Sequence, residues 1–401
     1  MKNEAMQALA RYSPPSRRRR RWFVALAVVL VLGLTAAAAW FVAGRTSTVA
    51  QPGGPRHRTA ATRTATGPPL TVVSTSPATG TQGVATDTPV TVRFSAPLAA
   101  SAAADPVPAL APPVAGSWRR LDRYTLEFDP SAPFIPATTE TLTVPGGPTG
   151  VRAAAGQVLG ATTTATFSVA SGSEERLEQL LALTGYLPLT FTPSGATPAP
   201  AQLAMPQTGT FTWRWGGLPA SLTSQWTEGQ PSALTKGAVM TLESQNSLTV
   251  DAIAGPRVWS VLLADLAHGT TNQASYTYVD VTKTLPENLT MWVDGVPKFQ
   301  NIPVNTGVPG ADTADGTYQV FEHVTASEMK GTNPDGSTYD DPNVPWASYF
   351  NGGDALHGFV RATYGSPQSN GCVEMSIADA GATWPYTPIG TLVTVEGPAA
   401  A

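Results

Sequence analysis

The chain has 401 residues, of which 42 % are hydrophobic and only 13 % charged, with 37 glycines and 37 prolines. That length allows roughly two to four domains, and a charge-poor, turn-rich composition favours β-rich domains over long solvated helices. The net charge of −4 hides an asymmetry: positions 1–63 hold eleven Lys/Arg against one acid, Glu4, and the remainder holds thirteen against twenty-seven. The large part has no basic face, which excludes nucleic acid as its partner.

Five arginines at 17–21 precede an apolar run at 22–43 in which Thr35 is the only hydroxyl and no residue is charged. A helix needs ~20 such residues to cross the hydrocarbon core, and arginines on one side hold that end in the cytoplasm. Trp22, Trp40 and Phe41 stand near the two ends, where amphipathic rings favour the interface. The expectation is a cytoplasmic basic tail (1–21) and an uncleaved transmembrane anchor (22–43). The competing reading is a cleaved signal peptide, whose apolar core is shorter, ~7–15 residues. Residues 44–69, rich in Thr, Ala, Pro and Gly with scattered arginines, read as a flexible linker.

From 70 to 170 short alternating runs recur between turn residues: 89–94 (PVTVRF), 124–128 (YTLEF), 139–144 and 165–169. Period-2 alternation at this spacing argues a small antiparallel β-sandwich. The phrase STSPATGTQGVATDTPVTVRFSAPL at 74–98 resembles the bacterial Ig-like domains that precede catalytic domains in envelope proteins. Trp118 and Phe128 read as core, and the domain as a spacer or scaffold.

A different texture starts at Glu174. In EERLEQLLALTGYLPL, Leu177, Leu180 and Leu181 stand at helical spacing, Ser173 is an N-cap candidate and Gly185 ends the helix. The stretch 237–266 reads as a helix, a turn and a second helix carrying Pro256, Val258, Trp259, Leu262 and Leu263. The two pieces resemble the halves of a peptidoglycan-binding three-helix module over 174–267, with a Pro/Thr-rich insert at 190–234 carrying Trp213, Trp215 and Trp226. A helical packing module without glycan binding is the alternative.

Residues 272–397 form the last domain, again β-rich. Strands are expected at 276–281, 289–293, 302–305, 318–321 and 391–395, with Asp294-Gly295 as a hairpin turn and Ser376 capping a short helix.

Chemistry concentrates in HGFVRATYGSPQSNGCVEMS, 357–376. It holds Cys372, the only cysteine, so an intrachain disulfide and a zinc–thiolate cluster are both excluded. The four histidines, His57, His268, His323 and His357, form no His-Glu-x-x-His array. The acidic stretches GADTADG (310–316) and NPDGSTYDDPN (333–343) read as loop turns, so no metal and no cofactor is expected. A free thiol has a pKa near ~8.5 and needs a base to become a nucleophile at neutral pH. His57 falls in the linker, His268 at a helix end and His323 in a strand pattern. His357 is then the base candidate, with Gly358, Gly365 and Gly371 giving the loop freedom to fold back. A lone cysteine and a histidine at this separation, taken by themselves, favour a buried structural cysteine beside an unrelated histidine, and the flanking residues shift that balance.

The flanking residues resemble the active-site signature of the L,D-transpeptidases, the YkuD-type catalytic domain. The match is His357-Gly358, Gly365, Ser369, Gly371, Cys372 and Val373, and it extends back through SYFNGGDALHG (348–358), TADGTY (313–318) and Gly307 to Tyr276. Asn370 stands where that family usually has a second histidine, and Glu374 where Arg or Asn is common. The resemblance implies a multidomain, mainly β envelope protein: a membrane-anchor helix, an Ig-like β-sandwich, a small helical peptidoglycan-binding-like module and a β-rich catalytic domain. It implies that His357 deprotonates Cys372, which attacks a peptidoglycan stem peptide to give a thioester. A second stem's amine then resolves it into a 3→3 cross-link. Amides around Gly371 and Cys372 would receive the oxyanion, with Ser369 and Asn370 shaping the loop. Gly358, Tyr349 and Glu374 are pocket candidates. Carbapenem-type β-lactams would acylate the same thiol. The address implied is the cell membrane, with the C-terminal domains in the cell-wall space. The alternatives are a non-catalytic wall-binding protein and an L,D-carboxypeptidase that resolves the thioester with water.

Overall fold

The computed structural model describes residues 67–103 and 106–397. The expected basic tail, the anchor and nearly all of the linker lie outside the described residues. Among the described residues, no helix is long and apolar enough to cross a membrane.

The alternation read at 70–170 folds into eight strands: β1 (Val72–Ser76), β2 (Thr81–Val84), β3 (Val90–Phe94), β4 (Ala109–Ala111), β5 (Gly116–Arg120), β6 (Thr125–Pro130), β7 (Thr139–Val144) and β8 (Thr163–Val169). They make two four-stranded sheets, ordered β1-β3-β6-β5 and β2-β8-β7-β4. Every second residue of β3, namely Val90, Val92 and Phe94, is buried, and these meet Leu126, Leu142 and Phe167 in one core. Phe128 is buried and Trp118 lies over it with ring centroids 5.5 Å apart.

Next comes α1 (Glu174–Leu183), capped as the sequence predicts: Ser173 Oγ accepts the Arg176 N–H at 3.2 Å. The Pro/Thr-rich insert is not a loose loop. It contains the antiparallel hairpin β9 (Leu189–Pro193) and β10 (Gly209–Trp213), then the single turn α2 (Ala220–Thr223). Phe191, Phe211 and Trp226 meet in sequence through tilted and edge-on contacts, and Trp226 Nε1–H donates to the buried Glu178 at 3.0 Å. The aromatic residues are what turn this polar stretch into a packed layer. Then α3 (Ala233–Gln245) starts four residues ahead of the predicted Gly237, because Ser232 caps it. α4 (Pro256–His268) follows, opened by its proline and closed by Gly269 at φ 65°.

The last domain holds β11 (Thr277–Thr282), β12 (Asn288–Val293), β13 (Val296–Pro303), β14 (Gly316–Gln319), β15 (Glu322–Thr332), β16 (Thr338–Asn351), β17 (Asp354–Gly358), β18 (Val373–Met375), α5 (Ile377–Thr383) and β19 (Leu392–Glu396). One sheet runs β13-β12-β11-β19-β14 and the other β15-β16-β17-β18. Val279, Val281, Leu289 and Met291 of the first pack with Phe350, Leu356, Val373 and Met375 of the second. Asp294 and Gly295 both take positive φ, 51° and 76°, as a type I′ turn requires. Residues 302–303 do not start a separate strand: β13 continues from Val296 through register shifts opposite Leu289–Trp292.

The helical layer shares its core with the first sheet of the last domain. Tyr278 and Leu392 are buried among Leu180, Leu234, Val239 and Trp259. The backbones come close at Gly237, where a Cβ would lie 2.6 Å from the Gly390 carbonyl oxygen. This module is a platform fixed to the first sheet of the last domain.

Candidate active site

Two strands position the chemistry. β17 and β18 run parallel in register, with Leu356 opposite Val373, His357 opposite Glu374 and Gly358 opposite Met375. Cys372 directly precedes β18 and lines the same cavity as His357 and Glu374. The sequence separates Cys372 and His357 by fourteen intervening residues, and the parallel pair brings them onto neighbouring strand ends. Both line one cavity of about 660 Å³, together with Asp354, Phe359, Arg361 and Asn370.

The loop before the cysteine is built by Ser369. Its buried hydroxyl donates to the Cys372 carbonyl at 2.6 Å and accepts the Gly371 N–H at 3.2 Å. Ser369 therefore shapes the turn and does not touch the sulfur. Of the two amides expected to receive an oxyanion, that of Gly371 donates to Ser369 Oγ in this structure. Gly371 sits at φ 113°, and a Cβ there would meet Asp354 Oδ1 at 2.4 Å. Only glycine fits on both counts.

Desolvation sets the electrostatics. Burial pushes the Cys372 thiol up to about 12, against a smaller opposing effect from the Ala355 N–H and a further rise from the charges of Asp354 and Glu374. The Sγ lies 3.7 Å from the Gly353 carbonyl. His357, 2 % exposed, is held below the usual imidazole range, burial again being the main cause. Both groups rest neutral, and His357 Nδ1 lies 3.2 Å from the Gly358 carbonyl. A carbonyl only accepts, so Nδ1 carries the proton and Nε2 is the basic nitrogen. A neutral imidazole of that tautomer can take a thiol proton as the sulfur attacks, with no standing ion pair.

The other predicted residues divide. Gly358 supplies that tautomer-fixing carbonyl. Tyr349 lines the cavity, yet its hydroxyl is bonded to Ser327 Oγ at 2.7 Å. Asn370 Nδ2 donates to Asn333 Oδ1 at 2.6 Å, so it reaches across to a neighbouring loop. Glu374 is buried and its two oxygens take Nε–H and Nη2–H of Arg361, both at 2.7 Å. His323 is stacked 3.9 Å from Trp384 and bonded to Ser348, and burial lowers it to about 4. It belongs to the scaffold.

Two features escape the sequence reading. The first is the long hairpin of β15 and β16, whose NPDGS turn at 333–337 is the acidic loop read above as a turn alone. It covers the cavity, contributing Asn333, Tyr339 and Asp341. β15 and the first part of β16, residues 338–343, are exposed or half-exposed at every position, so they carry no apolar alternation to read. The second is Arg361. It was visible as the one basic residue, histidine aside, in the stretch 357–376, opposite one acid, Glu374.

Residues 276–395 match the family model of the L,D-transpeptidase catalytic domain, and residues 65–169 match that of a bacterial Ig-like domain. Both assignments made from the motifs are thereby shown, and the catalytic-domain match supports L,D-transpeptidase activity. No curated protein matches the chain. Among solved structures, an L,D-transpeptidase from Mycobacterium smegmatis aligns at 14 % identity over 82 % of this chain and 100 % of its own, with a TM-score of 0.27. L,D-transpeptidase 3 from Mycobacterium tuberculosis aligns at 15 % identity over 82 % and 99 %, with a TM-score of 0.28. The catalytic domain of the Enterococcus faecium L,D-transpeptidase acylated by ertapenem aligns at 24 % over 31 % and 100 %, with a TM-score of 0.26. At such TM-scores these likenesses add no weight to the sequence matches.

Proposed function

We propose that this chain is a cysteine-dependent L,D-transpeptidase that forms 3→3 cross-links between peptidoglycan stems through a thioester on Cys372. The observation that carries this reading is that Cys372, the residue directly before β18, and His357, on the neighbouring strand β17, line a single cavity. His357 Nε2 takes the thiol proton as sulfur attacks the stem carbonyl, then gives it to the departing D-alanine amine. A second stem's amine attacks the thioester, its proton passes to His357, and the thiol is restored. The desolvated site favours this neutral-pair route over a preformed thiolate.

The anchor expected at 22–43 would hold the chain in the cell membrane, with the Ig-like domain and the helical platform carrying the catalytic head into the wall. The helical layer is assigned here to support of the first catalytic sheet, with which it shares a core.

A wall-binding role without turnover is the second reading, and the strongly raised thiol favours it. Intact mass of the full chain after incubation with ertapenem separates the two. A one-to-one adduct that Cys372→Ala abolishes supports the enzyme. No adduct, with retained stem-peptide binding, supports the binder. Product analysis with two stems then distinguishes cross-linking from hydrolysis by a carboxypeptidase.

A further inference from the structure

The cavity wall beside the nucleophile is acidic, with one preorganised cation set into it. Asp335, Asp341 and Asp354 line it. Lys330, one of its two basic residues, is taken by Glu328 and Asp340 at 2.9 and 3.4 Å. Arg361 is the other. It is fixed from three sides: Nε and Nη2 on Glu374, Nη2 also on the Gln368 carbonyl at 2.9 Å, and the guanidinium 4.8 Å over the Phe359 ring. Phe359 in turn meets the His357 ring edge-on, centroids 6.0 Å apart. The remaining nitrogen, Nη1, has no hydrogen bond, and the Arg361 side chain is 30 % exposed where Glu374 is 5 %.

From this arrangement we infer that Arg361 is a specificity-determining residue, the anchor for a carboxylate on the donor peptide. The inference rests on the L,D-transpeptidase reading. A donor stem ending in D-alanine presents a free carboxylate one residue past the bond to be cut. An acidic wall repels that group everywhere except at a guanidinium. Glu374 orients the guanidinium and occupies its inner edge, and Nη1–H remains to donate outward. A planar, permanently charged, already immobilised donor loses little freedom on receiving a carboxylate. The device selects donors whose leaving residue carries a free C-terminus over amidated or extended ones.

The test compares a synthetic tetrapeptide stem ending in D-alanine as the free acid with the same peptide as its C-terminal amide, using the full chain. Acylation of Cys372 is followed by mass, and kcat/KM is taken for each. The wild type should prefer the acid by roughly 10- to 100-fold, as expected of one charge-assisted hydrogen bond. Arg361→Gln should bring the ratio to about one, and Arg361→Lys should keep part of the preference. Since Arg361→Gln strands a buried carboxylate, Arg361→Gln/Glu374→Gln is the second variant, with both charges removed and the same ratio expected. A merely structural role would slow acid and amide alike and leave the ratio in place. A wild-type ratio near one, or a preference kept in both glutamine variants, overturns the anchor while ertapenem acylation still upholds the enzyme. Acylation by neither peptide nor ertapenem overturns both.

Discussion

Asn370 Nδ2 lies 2.6 Å from Asn333 Oδ1, and this one hydrogen bond ties the cysteine loop to the tip of the hairpin over it. The bond joins two turns 37 residues apart. It makes the residue that departs from the histidine of the family motif a latch for the cavity's cover.

Loosening that latch should expose the thiol. A partly exposed hydrogen bond contributes about 0.5–1.5 kcal/mol. Asn370→Ala and Asn333→Ala should therefore each raise the rate of Cys372 alkylation by iodoacetamide roughly 2- to 10-fold. The double variant should match either single one, because both break the same bond. Additive effects in the double variant would refute the latch.

Removing the base separates the buried His357 from the half-buried His323. His357→Ala should lower the rate of Cys372 acylation by ertapenem by about 10²–10⁴-fold, the usual range for a general base. His323→Ala loses the stack on Trp384 and should cost about 1–3 kcal/mol of stability by denaturant titration. Its acylation rate per folded molecule should stay near wild type. Equal kinetic loss in both would assign the base wrongly.

The pH profile follows from two opposite shifts. The Cys372 thiol is pushed up to about 12 and His357 is held below its ordinary value. The reactive form, thiol protonated and imidazole neutral, is filled above the lowered histidine pKa and emptied only near the raised thiol pKa. Acylation kcat/KM should rise through mildly acidic pH and then stay flat across neutral and moderately alkaline pH. A rising limb near ~8.5, where a free thiol ionises, would mean a solvated thiolate mechanism.

The Arg361–Glu374 pair should respond asymmetrically. Glu374 is 5 % exposed and Arg361 30 %, so the acid is the member that suffers when left alone. Arg361→Ala should cost about 3 kcal/mol or more, as for a buried charge stripped of its partner. Glu374→Gln should cost clearly less, since the guanidinium reaches solvent and the Gln368 carbonyl still accepts from it. Equilibrium denaturation of the two variants decides it, and equal losses would contradict this.

What the sequence by itself determined is what short stretches encode. The motif around Cys372 named the catalytic domain, the lone cysteine and His357 marked the pair proposed here to react, and alternation at 89–94 and 139–144 named the sandwich. Ser173 and Ser376 marked helix starts that the structure reproduces to the residue. Each of these signals lies within a few positions along the chain, where propensity, capping and period are already physical constraints. Tertiary structure alone decided the rest. It turned the insert at 190–234 into a layer through aromatic edge contacts and the Trp226–Glu178 bond to α1, made β15 and the polar first part of β16 a cover, took the Gly371 amide for Ser369 and set Arg361 upon Glu374. The partners in those contacts stand between 2 and 48 positions apart. Only the packing of the two sheets and the helical platform brings the distant ones within reach, and desolvation, which fixes the protonation of Cys372 and His357, exists only once that packing is complete.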